Sequence, residues 1–404
     1  MAADRRELRI HGCTGSVCRT ALIAAWLAAG CGGGSGDGPP VPQRPDCNPV
    51  IGNDCLSGYP TCFYMQNDPE STTGLRVDMP QKVMPPDAGG AQVDPAGLNR
   101  RDGFSPVAPV LVLLDRPVDP AGLVPETDPA RSLDPDTSAT LLYNASRGEL
   151  VAHFAEVDLN APEDDPHQAL LLRPWEPVGE NQRMVVVLTR RLQAADGGGY
   201  SPTPTMERLL AGKRTGYSRI DRDLDAWLDD LEAIEVLGIS SDEILAAWPY
   251  HTASSDWTRG VALALRDDFL EQVGPQGLDI EVERIEIDTD VVDRFPNLPP
   301  PEDDPRIEIE DMHSDLALRL RGTFEIPLYL DSDGESGELA WTGEGAKVER
   351  NGRTRRPFVM LVPPSVVEDG GRARMLLYGH GLLRGACIEG CVRPGDAELM
   401  PRLT

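Results

Sequence analysis

Between residues 106 and 188 the chain is cut into short apolar runs by clusters of turn-forming residues. Runs at 107–114, 140–143, 149–154, 169–172 and 184–188 are separated by Asp115-Arg116-Pro117, by Asn144 with Gly148, and by the proline-bounded stretches 162–166 and 177–181. Asp196-Gly197-Gly198-Gly199 closes the series. Runs this short, at this spacing, read as strands of a β-sandwich rather than helices. The chain holds 37 prolines, too many for long central strands, so several of these strands are expected at sheet edges.

Two segments break the pattern. Between 221 and 237, Leu224, Trp227, Leu228, Leu231 and Ile234 recur at helical spacing. Asp221, Asp223, Asp225, Asp229 and Asp230 lie between them and read as a solvated face rather than a calcium site. Between 256 and 273, Trp257, Val261, Leu265, Phe269 and Val273 repeat every fourth residue. Asp331-Ser332-Asp333-Gly334-Glu335 lacks EF-hand spacing because Ser336 stands where glycine is needed, and Asp288 with Asp290 is no better a calcium candidate. A stiff acidic connector, 295–305, precedes strand patterns at 316–330 and 358–362.

The N-terminus reads as a processing segment. Arg5, Arg6, Arg9 and Arg19 precede an apolar run, 21–29, too short to span a bilayer but suited to a signal peptide. The small residues before Cys31 resemble a lipobox, with Ala28 where leucine is more usual, and a Gly-rich then Pro-rich tether follows. An exported cell-envelope lipoprotein, at the outer membrane or cell surface and held there through lipidated Cys31, is expected. The formal charge of -28 argues against nucleic acid as a partner. Export also suits disulfides, for which Cys47, Cys55, Cys62, Cys387 and Cys391 are candidates in open pairing. No histidine stands at ligand spacing to them, so no metal and no cofactor is expected.

One short motif carries most of the chemical information. Arg374-Met375-Leu376-Leu377-Tyr378 is a mostly apolar run suited to a strand buried on both faces, and it leads into Gly379-His380-Gly381-Leu382-Leu383. A strand ending in Gly-His-Gly presents backbone at a tight turn, which is also how an oxyanion loop is built.

That loop closes an ordered set of stretches. They are Leu98-Asn99-Arg100-Arg101-Asp102-Gly103-Phe104-Ser105, Arg183-Met184-Val185-Val186-Val187-Leu188-Thr189 with Asp196-Gly197, and Trp248-Pro249-Tyr250-His251-Thr252-Ala253-Ser254. Gly322-Thr323-Phe324-Glu325-Ile326-Pro327-Leu328-Tyr329-Leu330 and the loop itself complete it. In these the chain resembles the bacterial virulence-factor or extracellular lipase family, in which an Ig-like N-terminal domain precedes an α/β-hydrolase domain. The resemblance implies a β-rich α+β chain: an Ig-like β-sandwich with added helices, then the first strands of an incomplete α/β-hydrolase domain. The expected organisation is a signal peptide at 1–30, a linker at 31–45 and the Ig-like domain at 46–258. A connecting helix and strands at 259–365 and the start of the hydrolase domain at 366–404 follow. It implies that the Leu382 backbone N–H donates to an oxyanion, with His380 and Gly381 shaping the loop, and that an ester or lipid would be the substrate were the hydrolase domain complete.

The departure is as informative. No Gly-x-Ser-x-Gly elbow occurs anywhere in the chain. His153, His167, His251 and His313 have no nucleophile motif beside them and read as structural or exposed. Two readings follow: the N-terminal portion of a lipase/esterase-like lipoprotein, inactive as written, or a non-catalytic surface-anchored Ig-like binding or scaffold module.

Overall fold

A computed structural model of the chain describes residues 39–52, 54–161, 168–294, 304–333, 337–343, 345–368 and 372–377. It is a β-rich α+β protein with several sheets. The chain divides into two compact units, one of residues 1–261 with 343–347 and one of 262–342 with 348–404.

The first unit contains a two-stranded ribbon, β1 (Met65–Asn67) with β2 (Leu75–Val77), and two larger antiparallel sheets. One sheet has the order β3 (Val110–Val112), β7 (Leu170–Pro174), β6 (His153–Val157). The other runs β5 (Glu149–Leu150), β4 (Thr140–Asn144), β8 (Arg183–Thr189), β9 (Ile244–His251). A single hydrophobic cluster draws on both, from Val110, Val112 and Leu172 in the first to Leu141, Val186 and Trp248 in the second. Every residue of β4, β8 and β9 is buried, and helices cover β9. α2 (Pro204–Leu210) and α4 (Leu224–Val236) pack there, with the Ala247 N–H donating to Met206 Sδ at 3.4 Å.

Several expected elements change shape for identifiable reasons. The run 107–114 shrinks to β3, since Pro106 and Pro109 carry no N–H for a ladder. Run 149–154 is two strands, because the chain leaves one sheet after Leu150 and enters the other at His153. The helix expected from 221 to 237 is α3 (Ser218–Asp221), a break, then α4, which stops before Gly238 at φ +94°. Asp230 is a correction: it lies on the buried stripe of α4 with Trp227 and Ile234, spaced by three and four residues, and not on a solvated face.

From its second residue on, α5 (Val261–Val273) belongs to the second unit, where it precedes a four-stranded sheet ordered β11 (Ile307–Glu310), β10 (Asp279–Asp288), β12 (Leu318–Pro327), β13 (Arg353–Val362). β10 and β11 are parallel; the other pairs are antiparallel. Gly322 of β12 is fixed by close approach, since a Cβ there would stand 2.1 Å from the Glu281 carbonyl oxygen. One face is a charge ladder: Glu286, 1% exposed, is enclosed by Arg284, Arg319 and Arg321. On the other face a small cluster of Ile287, Val291, Ile307 and Ala317 is capped by α6 (Thr289–Arg294) and by Val367 of α7 (Pro364–Glu368). The strand expected at 374–378 is also corrected: residues 372–377 belong to no strand, and Met375, Leu376 and Leu377 are 81%, 69% and 91% exposed.

Candidate functional site

His380, Gly381 and Leu382 lie outside the described residues, as do Cys31, Cys387, Cys391 and His167. Of the cysteine candidates, Cys47 and Cys55 are joined by a disulfide across eight residues. Cys62 is buried on the turn Cys62–Tyr64 and is not part of that bond.

The stretches 98–105 and 248–254, about 150 residues apart in sequence, meet at one place. Phe104 bridges to Thr252; the Phe104 N–H donates to the His251 carbonyl at 2.9 Å, and the Ala253 N–H to the Phe104 carbonyl at 2.7 Å. Beside this ladder the Ser254 N–H donates to Asp102 Oδ1 at 3.0 Å, and Thr73 Oγ1 donates to the Asp102 carbonyl at 2.6 Å. Gly103 makes the approach possible, because a Cβ there would lie 2.5 Å from the Ala253 nitrogen. Thr252 extends the clasp, its hydroxyl donating to the Gly179 carbonyl and accepting from the Gln182 N–H. Asp102 is 2% exposed, and burial raises its pKa above the usual carboxylate value, against hydrogen bonds from Ser254.

An aspartate, a histidine and a serine thus stand within a few residues of this junction, yet the carboxylate and the ring face backbone, and the serine meets Asp102 through its own backbone N–H. The Asp102 carboxylate and the His251 ring are both turned to main-chain groups, with His251 Nδ1 3.0 Å from the Thr252 carbonyl. That carbonyl can only accept, so Nδ1 carries the proton. Burial pushes the His251 pKa down to about 4, helped slightly by the Arg183 charge, so the ring is neutral at physiological pH.

His153 is enclosed in the same way. Its Nδ1 donates to the Val151 carbonyl at 3.2 Å, which leaves Nε2 to accept from Thr140 Oγ1 at 2.9 Å. A hydroxyl directed at an imidazole is formally a nucleophile and base pair. Thr140 is 1% exposed and His153 fully buried, so no substrate reaches them, and burial lowers the His153 pKa to about 4.

The Arg183 stretch has its own structural task. Arg183 grips Asp230 of α4 in a fork, Nε to Oδ1 at 3.0 Å and Nη2 to Oδ2 at 2.6 Å, with both side chains 7% exposed. Burial pushes the Asp230 carboxyl upward while Arg183 pulls it back. Several of the other acids considered for calcium are occupied locally: Asp221 accepts from Thr215 and Gly216, Asp223 pairs with Arg222, and Asp288 accepts from the Asp290 and Met312 N–H groups. Asp333 accepts from Thr354 and pairs with Arg356. Among the described residues no three His, Cys, Asp or Glu side chains gather as a metal-holding group.

Sequence reasoning missed one concave feature, a cleft of about 220 Å³ lined by Val50, Ile51, Arg116, Tyr200, Thr203 and Leu245 among others. Its polar groups are spent on the fold. Arg116 binds Asp196 and the Gly199 carbonyl and lies over the Tyr200 ring, while Thr203 donates to the Pro49 and Val50 carbonyls. Both of its turns were visible in sequence as loop signals, but nothing there told that Arg116 of one reaches Asp196 of the other.

Compared with protein-family models, curated proteins and solved structures, the chain matches none.

Proposed function

We propose that the chain is the N-terminal portion of an exported lipase/esterase-like lipoprotein of the carboxylic ester hydrolase type. In this reading an Ig-like sandwich stands behind lipid-anchored Cys31 and leads into the opening of an α/β-hydrolase domain. The observation that carries it is the clasp of 98–105 on 248–254. Two stretches that resemble the lipase family separately are complementary in space, down to the glycine that lets them touch. The chain carries no Gly-x-Ser-x-Gly, and His153 and His251 are neutral and closed to substrate. It is therefore inactive as written. The reading as a non-catalytic Ig-like binding or scaffold module draws on the same enclosure of its histidines.

Two experiments test this. The purified chain is expected to turn over p-nitrophenyl esters no faster than a heat-denatured control; robust turnover blocked by a serine-directed phosphonate would overturn the missing nucleophile. Reading the locus past codon 404 in all three frames is expected to reveal Gly-x-Ser-x-Gly, and its absence there would leave the scaffold reading.

A further inference from the structure

In a chain of formal charge -28, residues 208–219 carry Arg208, Lys213, Arg214 and Arg219 and no acid. The turn after α2 displays two of these cations on a fixed frame. The Lys213 N–H donates to the Arg208 carbonyl at 2.8 Å, and Arg208 Nε donates to the Arg214 carbonyl at 2.6 Å. Asp221 holds the turn from inside: its carboxylate accepts from the Thr215 N–H and hydroxyl at 2.7 and 2.8 Å and from the Gly216 N–H at 3.0 Å. The Asp221 side chain is 5% exposed, whereas that of Arg214, 3.6 Å away, is 69% exposed and Lys213 is exposed beside it. The acid is thus turned into the fold and the cations face solvent, with Glu207 as the exposed acid nearest in sequence.

The segment after Cys31 arrives at the same corner. Gly216, at φ +88°, packs so closely on Pro40 that a Cβ there would run into the Pro40 carbonyl oxygen. Farther along, Asp46 pairs with Arg219 and Lys82, so residues 40–46 run beside 216–219. Between these contacts stand Val41, an apolar side chain 91% exposed, and exposed Arg44. From Cys31 to Pro39 the backbone takes eight steps, at most about 27 Å when fully extended. A lipid on Cys31 therefore keeps this corner of the first unit within that distance of the bilayer. Charges more than about 8 Å from the headgroups are screened at physiological salt, so the excess of acid over the whole chain does not decide which side approaches. The charge at this corner does.

We propose that the surface around Pro40, Val41 and the turn 211–216 is the membrane-facing side of the first unit, where Arg44, Lys213 and Arg214 bind anionic phospholipid headgroups. The proposal rests on the reading of Cys31 as lipid-anchored and holds whether the protein is a hydrolase portion or a scaffold. Each cation brought to an anionic surface is worth about fivefold in binding. Val41 adds an apolar contact with the interface.

The lipidated protein in vesicles tests it, read through its three lysines, Lys82, Lys213 and Lys347. Vesicles of phosphatidylcholine alone are compared with phosphatidylcholine mixed with phosphatidylglycerol, and amine acetylation is followed residue by residue by mass spectrometry. Lys213 is expected to react about fivefold more slowly on the mixed vesicles than on the neutral ones, with Lys347 reacting alike on both. Salt at about 1 M should restore Lys213, and Arg214→Glu should remove most of its protection. Lys213 reacting alike on both vesicles would overturn the proposal. So would equal slowing of Lys347, since contact would then not be confined to this corner. A protein that fails to float with neutral vesicles would instead refute the Cys31 anchor, and the orientation with it.

Discussion

Gly103→Ala is the sharpest probe of the clasp. The added Cβ would stand 2.5, 2.6 and 2.7 Å from the Ala253 nitrogen, the Thr252 carbonyl carbon and the Ala253 Cα, where ordinary contact begins at 3.4 Å. All three are backbone atoms, so no rotamer relieves the clash, and the two chains must part by about 0.9 Å. The Phe104 to His251 and Ala253 to Phe104 hydrogen bonds, at 2.9 and 2.7 Å, would then exceed bonding distance. Two lost bonds at about 1 kcal/mol each, with overpacking of about 1–3 kcal/mol, predict a loss of roughly 3–5 kcal/mol. For a unit of this size that lowers Tm by about 10 °C. Calorimetry with denaturant titration reads it, with Gly97→Ala as control. Gly97 lies in α1 (Ala96–Asn99) with nothing within 4 Å of a Cβ, so that change should leave stability unaltered or raise it by up to about 1 kcal/mol. A Gly103→Ala protein within about 1 kcal/mol of the unaltered protein would refute the argument.

Asp230→Ala leaves the Arg183 guanidinium buried without its carboxylate and is expected to cost about 3–5 kcal/mol in denaturant titration, whereas Arg183→Met with Asp230→Leu should recover much of it. Cys47→Ser with Cys55→Ser opens a loop with an eight-residue separation and should cost about 2–3 kcal/mol, matched by reduction of the unaltered protein. His153 and His251 titrate near 4 when folded, against about 6.5 unfolded, so their contribution is complete above about pH 6.5 and is lost as pH falls toward 4, about 3 kcal/mol for each ring. Asp102, raised by burial, acts with the opposite sign, so the histidine share is read as the flattening of stability against pH in His153→Gln relative to the unaltered protein. On the proposed lipoprotein reading, Cys31→Ala should move the protein from the membrane to the soluble fraction.

What the sequence disclosed follows from where its signals are local. β8 was legible because five consecutive apolar residues, 184–188, admit few other uses, and α4 because its apolar spacing is helical over more than three turns. β9 was not legible as a strand. Its two alanines and Pro249 argue against one, and only its place at the edge of its sheet makes the proline tolerable. β10 was hidden for another reason: Glu281, Glu283, Arg284 and Glu286 interrupt the apolar pattern by which a strand is recognised, and Arg284 and Glu286 stand on a strand face enclosed by arginines of β12. The burial of Asp230 and the pairing of Arg116 with Asp196 are long-range facts, and helical or turn periodicity carries no information on either partner.

The same distinction governs how far the lipase resemblance reaches. Within the first unit, the stretches that carry it contain the residue types chemistry favours: Asp102, Arg183, His251 and Ser254. Asp102 accepts a backbone N–H, Arg183 forks onto a helix carboxylate and the His251 ring is turned to a carbonyl, while Ser254 reaches Asp102 through its backbone N–H. A motif built of such ties reports a way of folding, because its residues are fixed by the backbone geometry they hold. It carries no statement about catalysis, which needs polar groups directed at a space a substrate can enter. In this unit the cleft beside Arg116 has its arginine, tyrosine and threonine turned inward to the fold. On the proposed reading, an ester-cleaving function depends on residues 379–382, which lie outside the described residues, and on a nucleophile elbow that the sequence does not carry.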